Sequence, residues 1–364
     1  MPEKNRQHYV PKFYLRNFSD NERAIDTFNL TNSKYIKNAS IKDMCQKHNF
    51  YGADNKVENF LADVESEASS IIKNVLKTDD FPEVLKDYIH LFEFILISEA
   101  RNLKIAETNN YFADFLLKQM LEHHPDAKDI DLNELKIELN EPATTPIASA
   151  IEGTKLILDL EPLLIIEKTG GTRSFITSDN PMIRYNSFYL HKRYPGGYGY
   201  MDRGAQFFFP ISPSKCILLY DFNAYDIPGK QGNILYLNRA RDVDQLNELF
   251  FLNAYNNVFF NQRVRKDYIE GLQYKCRREP RLNDIGREVQ TLGSAGPRGG
   301  QVFQFGHNHV RKLFNFPWLK LSSFANRLAV PDHMGGIQRT ESQYISDKVE
   351  ERRLEFANQR PFTM

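Results

Sequence analysis

Tryptophan occurs once in the 364 residues and cysteine only three times. Cys45, Cys216 and Cys276 lie far apart, form no CxxC, and would leave one unpaired in any pairing. No disulfide framework is expected, and the three are read as buried thiols in a reducing compartment. Net charge is missing as well, since 47 Lys+Arg balance 47 Asp+Glu. That excludes a globally basic nucleic-acid binder and a strongly acidic disordered chain. The opening MPEKNRQHYVPK has no apolar stretch, so no secretory signal is expected. The most apolar run, Tyr88–Ile97, is about half the ~20 residues that span a bilayer, and it carries His90 and Glu93. It reads as a core helix, which leaves no membrane association and a cytoplasmic location as the expectation. There is no P-loop, GxGxxG, GxSxG or HExxH. Nucleotide triphosphatases, Rossmann enzymes, α/β-hydrolases and zincins are disfavoured accordingly.

What the chain has is aromatic mass: 27 Phe and 18 Tyr, enough for a large core at this length. Charge is unevenly placed despite the zero sum. Residues 263–364 hold 18 Lys+Arg against 11 Asp+Glu, a net of +7, which leaves −7 on residues 1–262. The division predicts a core over 1–262 and a basic C-terminal extension over 263–364. The extension either docks on the acidic body or faces an anionic partner.

Within the core, residues 56–158 read as mostly helical and 161–262 as strands with one helix. At 100° per residue, Val57, Phe60, Leu61, Val64, Ala68, Ile71, Ile72 and Val75 fall on one stripe, with Glu58 and Glu65 at its edge. A second helix, about Pro82 to Ile105, is apolar nearly all round and should be buried. It carries Arg101, whose guanidinium needs a carboxylate or carbonyls if buried, and otherwise reaches the surface. Leu163–Lys168 and Ser174–Thr177 flank Gly170-Gly171, a hairpin signal, and Phe207–Pro210 with Lys215–Tyr220 form a second pairing. Val243–Asn256 reads as a helix. The fold class expected is α+β, an antiparallel or mixed sheet packed against a helical layer.

Two segments hold candidate chemistry. In Arg6–Phe18, Pro11 suits the first turn of a short helix and His8 sits just ahead of it. The positive helix end would keep that imidazole neutral and able to take a proton. The alternative is a capping histidine. In Phe175–Pro181, Ser178, Asp179 and Asn180 stand at a strand end. There Asp179 is either an acid/base group, a metal ligand or the partner of Arg101, or it belongs to a turn that satisfies local N–H groups. Gly306-His-Asn-His309 has the spacing of a metal pair but no further ligands, and zinc is not expected. Residues 184–203 mix Tyr, His, Lys and Arg, which suits base stacking and equally suits a surface loop.

Together HYVPKFYLRNF, NFYG (Asn49–Gly52), SDNP (Ser178–Pro181) and FPISPSKCILL (Phe209–Leu219) resemble the bacterial domain-of-unknown-function family 4238, from about His8 to about Asn261. The resemblance implies a cytoplasmic bacterial or phage-borne protein from phage-defence loci, with a toxin-like effector role. The family's polar positions map onto His8, Tyr51, Glu65, Arg101, Ser178, Asp179 and Asn180. The working expectation is a nuclease. His8, Glu65, Arg101 and Asp179 would be its catalytic set, and Tyr9, Lys12, Tyr51, Ser178 and Asn180 its substrate contacts. RNA or DNA is the expected substrate, and no cofactor is expected unless a divalent metal ion takes part. The alternative is a non-catalytic sensor that recognises a phage protein or nucleic acid.

Overall fold

A computed structural model describes residues 6–280, 289–295, 300–305, 309–330 and 336–359, apart from 123, 128, 129 and 195. The first third contains β1 (Arg6–His8), α1 (Lys12–Arg16), β2 (Ala24–Asn29), β3 (Lys34–Ser40) and β4 (Gln46–His48). Four helices follow: α2 (Lys56–Thr78), α3 (Leu85–Ala100), α4 (Leu103–Glu122) and α5 (Thr144–Gly153). Next come β5 (Glu161–Glu167), β6 (Thr177–Ser178), β7 (Ile183–Tyr185), α6 (Ser187–His191), β8 (Gln206–Ser212) and β9 (Lys215–Tyr220). After β10 (Tyr225–Asp226) and β11 (Ile234–Leu237) the chain forms α7 (Ala240–Asn253), β12 (Asn257–Phe260) and α8 (Lys266–Cys276). The last described elements are β13 (Val289–Ala295), β14 (Gly300–Phe305), β15 (Lys320–Leu321), α9 (Ser323–Arg327) and α10 (Gln343–Gln359).

A mixed five-stranded sheet, ordered β11-β5-β9-β8-β7, forms the middle of the molecule. Its central strands are apolar on both faces, as a sheet covered on both sides requires. Alternation then sorts them. Leu164, Ile166, Phe207, Phe209, Ile217 and Leu219 face the layer made by α1, α2, α3 and α5. Leu163, Ile165, Phe208, Cys216, Leu218 and Tyr220 face α7, α8 and β12. This is an α+β fold. A second sheet, β3-β2-β12-β6, carries Ser178 at its edge and joins the N-terminal hairpin to the strand after α7. No helix among the described residues is long and apolar enough to cross a membrane.

Several local expectations hold, and others yield to long-range pairing. The β8–β9 hairpin forms, with Phe207 opposite Leu219 and Phe209 opposite Ile217. The Gly170-Gly171 hairpin does not: β5 pairs with β9 and β11, while β6 pairs with β12. The helix expected to reach Ile105 breaks at Arg101-Asn102, where the Asn102 side chain accepts from the Ile105 amide and starts α4. Such a cap substitutes for a missing backbone acceptor. Phe60, placed on the buried stripe of α2, is 39% exposed. The three cysteines are free and buried. Residues 275–300 include the end of α8, strand β13 and the first residue of β14. His307, one half of the His-Asn-His pair, lies outside the described residues.

Part of the C-terminal hundred residues packs on the second layer, where Val310, Phe314, Phe316 and Trp318 are buried. Two buried arginines bind the 337–341 segment. Arg339 makes a two-pronged bond to Asp159 at 2.8 and 2.9 Å. Arg203 bridges Asp221, at 3.1 Å, and Glu341. The tyrosines of residues 184–203 turn inward in the same region. Tyr185, Tyr189 and Tyr198 donate their hydroxyls to the carbonyls of Lys312, Ile337 and Val310. Those rings are not displayed for base stacking.

Candidate functional site

The N-terminal strand β1 is short, and its neighbours hold it in place. It pairs with β4, setting His8 opposite Gln46. Gln7 is fully buried; its amide donates to the Gly52 carbonyl at 2.9 Å, while its Oε1 accepts from the Tyr51 amide at 2.5 Å. Gly52 has φ +95°, a conformation that favours glycine and explains the last letter of NFYG. β1 and the Asn49–Gly52 turn are thereby locked together.

Arg101 closes this unit from the other side. It caps α3 and is 1% exposed. Its Nη1 donates to Glu65 Oε1 at 2.7 Å, its Nη2 to the His8 carbonyl at 2.6 Å and its Nε to the Tyr51 hydroxyl at 3.2 Å. Tyr51 in turn donates to the Arg101 carbonyl at 3.1 Å. Burial raises the Tyr51 phenol to about 12, against the pull of Arg101. Every branch of the guanidinium is used, and the carboxylate it meets is Glu65, not Asp179. The stripe edge of α2 delivers Glu65 to this point, half-buried at 26% side-chain exposure.

The His8 side chain stands beside this anchored unit and is half-exposed. Its Nε2 lies 3.1 Å from the Lys42 carbonyl. A carbonyl can only accept, so Nε2 carries the proton and Nδ1 is the basic nitrogen of the neutral ring. Burial lowers the imidazole's affinity for a proton, and the nearby charges of Lys12 and Arg101 add to the effect. The Lys42 bond and Glu65 oppose it. Lys12, the first residue of α1, is half-buried and within electrostatic reach of this ring. The arrangement is a neutral, oriented imidazole within electrostatic reach of Lys12, Arg101 and Glu65, and it can move a proton.

The second segment is built differently. Asp179 is 1% exposed and accepts from three consecutive amides, those of Tyr255, Asn256 and Asn257, at 3.0, 2.9 and 3.0 Å. Burial pushes its carboxyl up to about 6, against the pull of those amides. Asn180 donates to the Asn253 carbonyl at 2.9 Å and accepts from Asn102. Ser178 accepts from the Asn180 amide and donates to its carbonyl. Tyr9 is buried, packs on Phe50 and bonds to Cys45, with its phenol pushed up by burial. These side chains tie β6 to the turn between α7 and β12. They meet the His8 unit through the chain itself, since Arg101 serves one side and Asn102 the other.

Two participants escape a reading by residue type. Gln7 and Asn102 are neutral amides, which carry no chemical signal, although each adjoins a singled-out residue. Among the described residues, no three His, Cys, Asp or Glu side chains converge as a metal centre would need.

The family model described as "Protein of unknown function (DUF4238)" matches residues 6–264. The chain belongs to this family. The DUF4238 match includes both polar segments, the five-stranded sheet and α2 through α7, so both halves of the geometry just described lie inside the family core. No curated protein and no solved structure matches the chain.

Proposed function

We propose that the protein is a hydrolytic effector of the phage-defence or toxin type, working in the cytoplasm and cleaving phosphodiester bonds. His8 is its acid–base group. The carrying observation is the His8 ring itself: half-exposed, fixed through Nε2 on the Lys42 carbonyl, and backed by the Arg101–Glu65 pair. Nδ1 would take the proton from an attacking hydroxyl while Lys12 meets the phosphate charge. The phosphorus–oxygen bond to the leaving 5′-oxygen then breaks, that oxygen is reprotonated from solvent, and the 2′,3′-cyclic phosphate left behind is opened by water in a second step. RNA is favoured over DNA, because its own 2′-hydroxyl supplies the nucleophile. Arg101 is a positioning residue here, since its donors are occupied by protein. Asp179, Asn180 and Ser178 act through the backbone they hold.

The test uses the full chain with total cellular RNA and with DNA, each with and without a divalent metal ion. Cleavage of the RNA and not of the DNA is expected, and His8→Gln should reduce it by at least about a hundredfold, the usual scale of general acid–base catalysis. The glutamine amide can still donate to Lys42, so the melting temperature should not move. Because the folded ring binds its proton weakly, the rate should be flat at neutral pH and fall only below 6.5, the ordinary imidazole value. Full activity in His8→Gln would end the catalytic reading.

A second reading is a non-catalytic sensor for a phage protein or nucleic acid. One observation favours it. Asp179, Asn180 and Ser178 spend their side chains on the protein's own backbone, as a stabilising network does. Binding without any cleavage would select it.

A further inference from the structure

The surface between α2 and α3 opens into a cavity of about 1110 Å³. It is bounded by the exposed flank of α2, the connection through residues 79–84, the first turn of α3 and residues 231–234. This last segment leads into β11, the outermost strand of the large sheet. The cavity exceeds the ~300–1,000 Å³ usual for small-molecule sites, and it is a groove rather than a closed chamber.

Its lining has two parts. Ile71, Phe81, Val84, Tyr88 and Ile234 supply apolar surface, and Val84 is 61% exposed. Glu67, Asp79, Asp80, Glu83 and Asp87 supply carboxylates, with no lysine or arginine among the described lining residues. Two of the five already have cations. Lys215 meets Asp79, while Lys86, at 3.6 Å, and His90 meet Glu67. Asp80, Glu83 and Asp87 have no ion pair among the described residues. Three like charges therefore line the 80–87 wall beside a partly exposed apolar floor. Leu85, at the start of α3, adds to the uncovered surface at 70% exposure.

We infer that this groove is a docking site for an extended, basic protein segment in which Lys or Arg alternates with apolar residues. Alternation in an extended chain sends one set of side chains to the floor and the other to the acidic rim. The outward N–H and C=O of Ile234, the β11 residue that lines the groove, already pair with Gln231, so the segment is held through its side chains. Charge complementarity selects the partner: the rim repels acidic chains and nucleic acids and attracts cationic ones. On α2, Glu65 and Glu67 point about 200° apart, so one helix carries the His8 unit on one flank and the groove on the other. The inference does not depend on the phosphodiester reading.

A labelled decapeptide of alternating Lys and Val, titrated into the full chain, is the probe. Binding is expected to weaken steeply with added salt. Reversing Asp80, Glu83 and Asp87 to lysine together should weaken it by at least about tenfold while leaving the melting temperature in place. Amide exchange in the wild-type chain should slow at residues 79–88 and 231–234 when the peptide is bound. That measurement keeps the test valid if the triple variant fails to fold. Equal binding of an all-lysine peptide, protection elsewhere on the surface, or affinity unaffected by charge reversal would each overturn the inference.

Discussion

Replacing Arg101 by methionine should cost about 3 kcal/mol of folding stability, the lower end of what breaking a buried ion pair costs. The lower end applies because Glu65 is partly open to water and can recover some solvation. The His8 carbonyl and the Tyr51 hydroxyl would lose a donor at the same time. A milder change separates charge from hydrogen bonding. Glu65→Gln keeps an acceptor for Nη1 and should cost about 1 kcal/mol. Making Glu65→Leu in the Arg101→Met background should restore part of the loss, because no charge is then left facing an apolar side chain. Urea unfolding of the three variants measures this directly. A cost below that of Glu65→Gln would mean that Arg101 does not tie the unit together.

Asp179→Ala should be at least as damaging. It leaves three amides, that of Tyr255 buried and those of Asn256 and Asn257 part-buried, without their acceptor, at about 1–3 kcal/mol for each unpaired group and about 4 kcal/mol in all. Asp179→Asn should cost less, and its cost should depend on pH. The folded carboxyl is raised from 3.8 to about 6, so the native state holds its proton more tightly than the unfolded chain does. The stability this supplies is complete below 3.8 and is lost as pH rises through about 6. Asparagine has no such proton. Across that window the wild-type advantage over Asp179→Asn should shrink. An advantage that grows with pH would show that the amides, not burial, govern the carboxyl.

Much of the fold could be read from periodicity. The stripe on α2, the uniformly apolar α3 and the β8–β9 hairpin are local patterns, and local patterns survive folding. The Gly170-Gly171 hairpin failed because the partners of β5 lie some fifty to seventy residues further on, and no local signal encodes that choice. The site divides the same way. Angle places Glu65 at the edge of a buried stripe, and Arg101 needs a partner only if it is buried, with the surface as the alternative and Asp179 as one candidate; the structure buries it and pairs it with Glu65. Asp179 was open between chemistry and a turn. The structure gives it a turn-like task, but on amides 76 to 78 residues away, beyond any reading of SDNP alone. Gln7 was invisible because a buried glutamine is recognised only by the groups it bonds.

The account rests on the state of one imidazole. A histidine-labelled sample of the full chain, titrated by nuclear magnetic resonance, reports both its tautomer and its midpoint. The prediction is a His8 ring protonated on Nε2 when neutral, with a midpoint below 6.5 that rises when Arg101 is replaced by methionine. A ring carrying its proton on Nδ1, or a midpoint at or above 6.5, would contradict it.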